Sequence, residues 1–355
     1  MRIEDFDYEL PVQRIAQHPV EPRDSARLLV DRGAAEPDHR HVRDLPELLA
    51  PGDLIVVNET RVIPGRLHLK RRTGGAVEVL LLEALDGDWS RWEAMVRPGR
   101  RLRDGEMLVD HDGHATLIVH SRGAHGDTFI VEIVRSETND HALSDDPIAH
   151  TLARLEAIGE MPLPPYIEAE LTEPDRYQTV FARHPGSAAA PTAGLHLTEA
   201  LIESLAQRGI SMCSVELMVG RDTFVPISEA DPLDHPIHSE RYRVPAATLE
   251  ACAAARAGGH RVVAIGTTSV RALESAASTG ELSGRTSLYI SRGYDWRVVD
   301  VMMTNFHLPR TTLLVMIEAF VGERWRRLYQ EALSSGYRFA SFGDAMLLTR
   351  SPMTG

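Results

Sequence analysis

The 355-residue chain carries 38 basic and 51 acidic side chains, a net charge of −13 with histidine neutral, and 43% hydrophobic residues. This balance describes a folded protein large enough for two domains, and argues against a disordered chain, a wrapping nucleic-acid binder or a polybasic membrane-surface protein. Two cysteines outside any CxxC pair, an acidic start without an apolar leader, and no apolar run near ~18 residues exclude a disulfide scaffold and a membrane helix, so a cytoplasmic location is expected.

In chain order, PGDLIVVNET predicts a turn at Pro51-Gly52, a buried strand over Leu54–Val57, and a loop carrying Asn58, Thr60 and Arg61. From Val62 to Asp145 apolar and polar residues alternate, as at Leu67, Leu69, Val77, Val79 and Leu81. Gly and Asp-Gly turns separate these runs, which predicts a small closed antiparallel sheet, with a helix over Arg91–Val96 as the weaker alternative there. After Pro147 the texture becomes α/β. Expected helices cover Ile148–Ile158, Glu199–Arg208 behind a Thr198 cap, Ala247–Ala257, Ser269–Ala277 and Thr311–Phe320. Expected strands lie at Ile210–Val219, Val262–Ile265 and Val298–Met303. That alternation calls for a mostly parallel sheet. The expected fold is therefore an α/β domain made of residues 1–61 and 147–355, with a small antiparallel β-barrel domain, 62–146, inserted into it.

In such a sheet, ligands gather where strand ends meet helix starts. Three loops have suitable content: AAPTAGLHLT at Ala189–Thr198, AIGTTSVRALES at Ala264–Ser275 and TNFHLPRTTLL at Thr304–Leu314. Ser and Thr at helix starts also serve as plain caps, and loop histidines are often merely solvated. DHPIHSE, Asp234–Glu240, lacks the spacing of a structural or catalytic zinc site, so no metal is expected there. It reads either as an acid–base site or as a structural turn. Arg61, Arg66, Lys70, Arg71 and Arg72 form a basic run in an acidic chain, readable as a phosphate contact or as a guarded edge strand. No dinucleotide fingerprint, P-loop or nucleophile elbow occurs.

These segments resemble the S-adenosylmethionine:tRNA ribosyltransferase-isomerase family of queuosine biosynthesis. The resemblance runs from ELPVQRIAQHP at Glu9–Pro19 through NETRVIPGRL, MPLPPYI, YQTVFA, the three loops and DHPIHSE to YRFASFGDAM at Tyr337–Met346. It implies the fold argued above. It also implies transfer and isomerisation of the ribosyl moiety of S-adenosylmethionine onto 7-aminomethyl-7-deazaguanine at the wobble position of tRNA. Epoxyqueuosine-tRNA forms, adenine and methionine leave, and the donor is a consumed co-substrate with no bound cofactor. The implied partner is the anticodon region of tRNA, with no membrane and no obligate protein partner. On this resemblance His196 or His307 is the expected base, with Asp234, His235 and His238 assisting proton transfer. Arg61, Thr192, Gly194, Gly266, Thr267, Thr268, Arg271, Asn305 and Arg310 are expected to bind substrate, and Arg66, Lys70, Arg71 and Arg72 to contact tRNA.

The chain departs from the family pattern at Glu59, Ile237 and Arg292, and above all at Met218 and Asp222, where histidine and glycine are usual. A thioether carries no proton. Two alternatives follow: the same donor with a small acceptor such as a free deazapurine, and a non-catalytic RNA-binding descendant.

Overall fold

The computed structural model describes residues 1–100, 102–123, 126–134, 146–220, 227–237 and 239–351. They form two compact units, Met1–Arg61 with Pro164–His184 and Ala190–Gly355, and Val62–Leu163 with Pro185–Ala189.

The first unit is built on a mixed sheet. Its centre is four parallel strands in the order Ser211–Leu217, Leu54–Asn58, Val262–Ile265 and Val301–Asn305. Leu54–Asn58 is buried along its whole length, which is why it reads as an unbroken apolar run rather than an alternating one. The expected parallel order holds at this centre, but both flanks turn antiparallel. On one side Glu240–Arg243 and Ser283–Thr286 extend the sheet. On the other, the late strand Ala345–Thr349 lies between Val301–Asn305, antiparallel to it, and Arg27–Val30, parallel to it. Asp38–His41 completes that edge.

Helices Glu199–Gln207, Ala246–Ala257, Thr267–Thr279 and Thr312–Val321 follow the predicted spacing closely. Thr198 and Thr311 cap two of them by accepting the N–H of Leu201 and Leu314 at 3.1 and 3.4 Å. The third begins two residues earlier than its pattern predicts, so Thr267 and Thr268 lie inside the first turn. Its cap is Gly266 at φ +85°, a conformation open to glycine and strained for other residues. One apolar core runs between sheet and helices through Leu28, Val57, Leu201, Leu205, Ile265 and Met303.

In the second unit six strands close into an antiparallel barrel. They run in the order Arg66–Arg71, Ala76–Ala84, Arg91–Arg97, Phe129–Ile133, Ala115–Arg122 and Glu106–Val109. The ring closes where Lys70 faces Val109 and Arg71 faces Leu108. Arg91–Arg97 is a strand rather than the alternative helix, because Trp92, Ala94 and Val96 point inward while Arg91 and Arg97 stay exposed. The predicted boundary at residue 146 also needs correction. Helix Pro147–Ile158 sends Leu155 into the barrel core, and Leu152 and Ile158 pack against it. The unit therefore continues to Leu163. Burying side chains of this kind stabilises by about 1.5–3 kcal/mol each, enough to fix the helix there.

Candidate functional site

Beyond the carboxyl ends of the parallel strands, Asn58 ties two neighbours together. Its amide donates to the Leu217 carbonyl at 2.9 Å, and its oxygen accepts the N–H groups of Leu217 and Thr60, each at 3.2 Å. Two cavities open at this end and share Thr267, Thr268 and Leu313 in their linings.

The first cavity is where all three sequence loops meet. Pro191, Thr192 and Ala193 come from one, Gly266, Thr267 and Thr268 from the second, and Thr304 through Leu308 from the third. Asn305 links them. The Thr192 hydroxyl donates to its oxygen at 2.9 Å, and its amide donates to His196 Nε2 at 3.1 Å. The loop after Asn305 is fixed from behind. Phe306 packs its ring 4.9 Å from Phe339, and the His307 N–H donates to the Tyr329 hydroxyl at 3.0 Å.

The two expected base candidates differ in placement. His307 lines this cavity, with Nε2 3.1 Å from the Thr304 hydroxyl, and burial pushes its pKa down to about 3. His196 lines a smaller recess with Pro19, Val20 and Arg23 instead. It is held by Asn305 and by a backbone hydrogen bond at Arg23, and burial is the main cause that lowers its pKa to about 4. Both imidazoles are neutral near pH 7.

The second cavity is lined by His235, Tyr289, Arg271, Glu240 and Gly220 among aliphatic side chains. Of the buried side-chain polar atoms without a hydrogen-bond partner among the described residues, four belong to this lining: His235 Nε2, Tyr289 Oη, Thr268 Oγ1 and Arg271 Nε. Leaving such an atom unpaired costs about 1–3 kcal/mol, so a cluster of them is a mark of a ligand site. Glu229 and Tyr289 carry no sequence signal of their own. Glu229 lies six positions before His235, a spacing that matches no regular periodicity.

Other expected residues fall elsewhere. Arg271 reaches the second cavity, but it is already ion-paired with Glu240, whose other oxygen accepts the Gly220 N–H at 2.9 Å. Arg310 is exposed and bonded to Asp7, with Nε at 2.9 Å, and Arg61 is exposed. Asp234 is also exposed, at the end of the short turn Pro232–Asp234. Gly194 packs tightly, since a Cβ there would lie 2.9 Å from Phe181 Cζ. His238 and Asp222 lie outside the described residues. Met218 lines neither cavity, although its neighbours Val219 and Gly220 line one each.

The basic run on the barrel is partly neutralised. Arg66 pairs with Glu78 at 2.7 Å and Arg71 with Glu106 at 2.5 Å, while Lys70 and Arg72 are exposed. Two groups of acids and histidine belong to neither lining, Glu59–His184–Glu216 and Asp110–Asp112–His114. Each has a carboxylate bonded to a guanidinium, Glu216 to Arg243 at 2.7 Å and Asp110 to Arg154 at 3.2 Å. Among the described residues no helix is long and apolar enough to cross a membrane.

Comparison with known proteins gives the family. A family model described as queuosine biosynthesis protein matches residues 3–348. The S-adenosylmethionine:tRNA ribosyltransferase-isomerase of Symbiobacterium thermophilum is 48% identical, over 98% of this chain and 100% of its own. That of Anaeromyxobacter dehalogenans is 49% identical, over 99% of this chain and 100% of its own. A crystal structure of S-adenosylmethionine tRNA ribosyltransferase from Thermotoga maritima is 36% identical, covers 97% of this chain and 99% of its own, and superposes with a TM-score of 0.54. The chain belongs to the S-adenosylmethionine:tRNA ribosyltransferase-isomerase family.

Proposed function

We propose that this chain transfers the ribosyl moiety of S-adenosylmethionine to 7-aminomethyl-7-deazaguanine in the anticodon region of tRNA and isomerises it to the epoxycyclopentanediol of epoxyqueuosine. Adenine and methionine leave, the donor is consumed, and the reaction runs in the cytoplasm. The observation that carries this reading is the pair of cavities sharing Thr267 and Thr268. A transfer between two nucleoside-like substrates needs two adjoining chambers, with the migrating group at their common wall.

In this reading Thr192, Asn305 and neutral His307 hydrogen-bond a nucleoside in the first cavity. The helix start at Thr267 has no side-chain cap, so its N–H groups remain available to substrate oxygens. Met218 lies off both linings among the described residues, so its thioether is not assigned a role toward either substrate. Lys70 and Arg72 are the residues of the basic run offered to phosphate.

The test is a product assay by mass spectrometry. The purified protein receives S-adenosylmethionine with an anticodon stem-loop carrying the aminomethyl-deazaguanine, and in parallel with the free base. Adenine, methionine and a ribosyl-derived mass gain on the RNA are expected. Product with the free base alone would overturn the tRNA assignment.

A further inference from the structure

A base that takes a proton inside a buried cavity becomes cationic there, and needs a fixed negative partner to hold that charge. Of the two histidines expected to serve as base, His307 lacks such a partner among the described residues, and His196, on which the Asp344 carboxylate acts, lies off both cavities. His307 has the Thr304 hydroxyl beside it, and burial alone sets its titration. His196 lines neither of the two cavities, and Asn305 occupies its Nε2. At His235, Nδ1 stands 2.7 Å from Glu229 Oε2, and the imidazole is largely buried. Nε2 is buried without a partner, in a side chain that lines the second cavity.

The carboxylate is itself held in place. Glu229 Oε2 accepts the Ser228 N–H, and Oε1 accepts the Ser228 hydroxyl, both at 3.1 Å. The segment is anchored on each side of Glu229: the Ile227 N–H donates to the Arg310 carbonyl at 2.8 Å, and the Ala230 carbonyl accepts the Ile3 N–H at 2.9 Å. A carboxylate fixed on one imidazole nitrogen sets the tautomer and leaves the other nitrogen as the acceptor.

We infer that Glu229 and His235 form the base dyad of this protein, and that the sulfonium half of the donor lies in the second cavity with the ribose carbon beside sulfur at His235 Nε2. The inference rests on the function proposed above and names the group that begins the reaction. The C–H bond breaks, its electron pair stays on the carbon next to the positive sulfur, and the proton passes to Nε2. The resulting imidazolium is balanced by the Glu229 carboxylate, and the Nδ1 proton stays on the ring. The rest of the lining suits an amino-acid end. Leu288 and Met316 accompany an alkyl chain, and Arg271, held by Glu240, keeps one unpartnered donor, Nε, for its carboxylate. Glu229 acts through His235 and is a positioning residue.

The experiment uses the full chain, S-adenosylmethionine and the modified stem-loop, and follows adenine release. His235→Ala is expected to lower kcat by about 10²-fold or more, with donor affinity by calorimetry unchanged within about threefold. Added imidazole is expected to restore part of the rate, because the truncation leaves room for it. Glu229→Gln keeps an acceptor for the Nδ1 proton but loses the charge. It is expected to lower kcat about tenfold at unchanged KM, and to enlarge the isotope effect of a donor deuterated on the ribose carbon beside sulfur. A merely structural role predicts neither the rescue nor the isotope effect. His235→Ala turning over within about threefold of the parent overturns the assignment. So does a slow variant that imidazole does not rescue, with an unchanged isotope effect in Glu229→Gln. A parent protein that releases no adenine is a different result, since it removes the proposed function before any variant is compared.

Discussion

His307 and His235 line two cavities that share Thr267 and Thr268, and both are largely buried, yet only His235 has a carboxylate against it. Without that charge, burial makes His307 a neutral hydrogen-bonding group with a pKa near 3. At His235 the Glu229 carboxylate stands 2.7 Å from Nδ1. The lesson is that depth alone does not make a histidine catalytic; what stands behind the ring decides.

The largest expected consequence is in acid. His307 is held at about 3 and His196 at about 4, whereas an unfolded histidine titrates near ~6.5. Between those values the unfolded chain binds more protons, so stability present above about pH 6.5 is lost as pH falls toward the folded values. For His307 alone the loss is on the order of 5 kcal/mol at full protonation. Urea unfolding at pH 7 and pH 4 should show His307→Gln losing less stability than the parent over that interval. Parallel losses would mean that the ring is solvated.

Next is the contrast in kinetics. His307→Ala is expected to raise KM about tenfold with kcat within about threefold, against the loss of kcat by about 10²-fold in His235→Ala. Equal kcat losses would erase the distinction between the cavities. Gly266→Ala tests their common wall. At φ +85° and ψ 151° a side chain costs about 1–3 kcal/mol, and thermal unfolding should register that while both KM values rise. The smallest effect concerns the barrel. Neutralising Lys70 and Arg72 should weaken stem-loop binding about threefold and reduce its salt dependence, whereas neutralising Arg66 or Arg71 breaks an ion pair within the barrel. A filter-binding titration at two salt concentrations separates the two.

Much of this was readable in the chain. The unbroken run Leu54–Val57 announces a strand buried on both faces, and the three loops that meet in the first cavity all follow strands. What the sequence hides is pairing across distance. Arg271 looks available for an anion until Glu240, thirty-one positions earlier, is seen to hold it. His196 looks catalytic because it precedes a helix cap, but it faces the recess of Pro19 and Arg23. Glu229 looks like one acid among several in SEADPLDH, and only the turn Pro232–Asp234 brings its carboxylate under His235. Helix Pro147–Ile158 has the pattern of any amphipathic helix, and its pattern does not say which core receives Leu155.

The strand Ala345–Thr349 sits between Val301–Asn305 and Arg27–Val30, and that position orders events in time. Arg27–Val30 and Asp38–His41 leave the ribosome early, but their place in the sheet exists only after a strand made some three hundred residues later has arrived. Six strands of the barrel need only neighbours within Arg66–Ile133, so they can pair while the first sixty residues still wait. During synthesis the amino-terminal segment is therefore the most exposed to proteases and chaperones, and the last strand to be made is the one that shelters it.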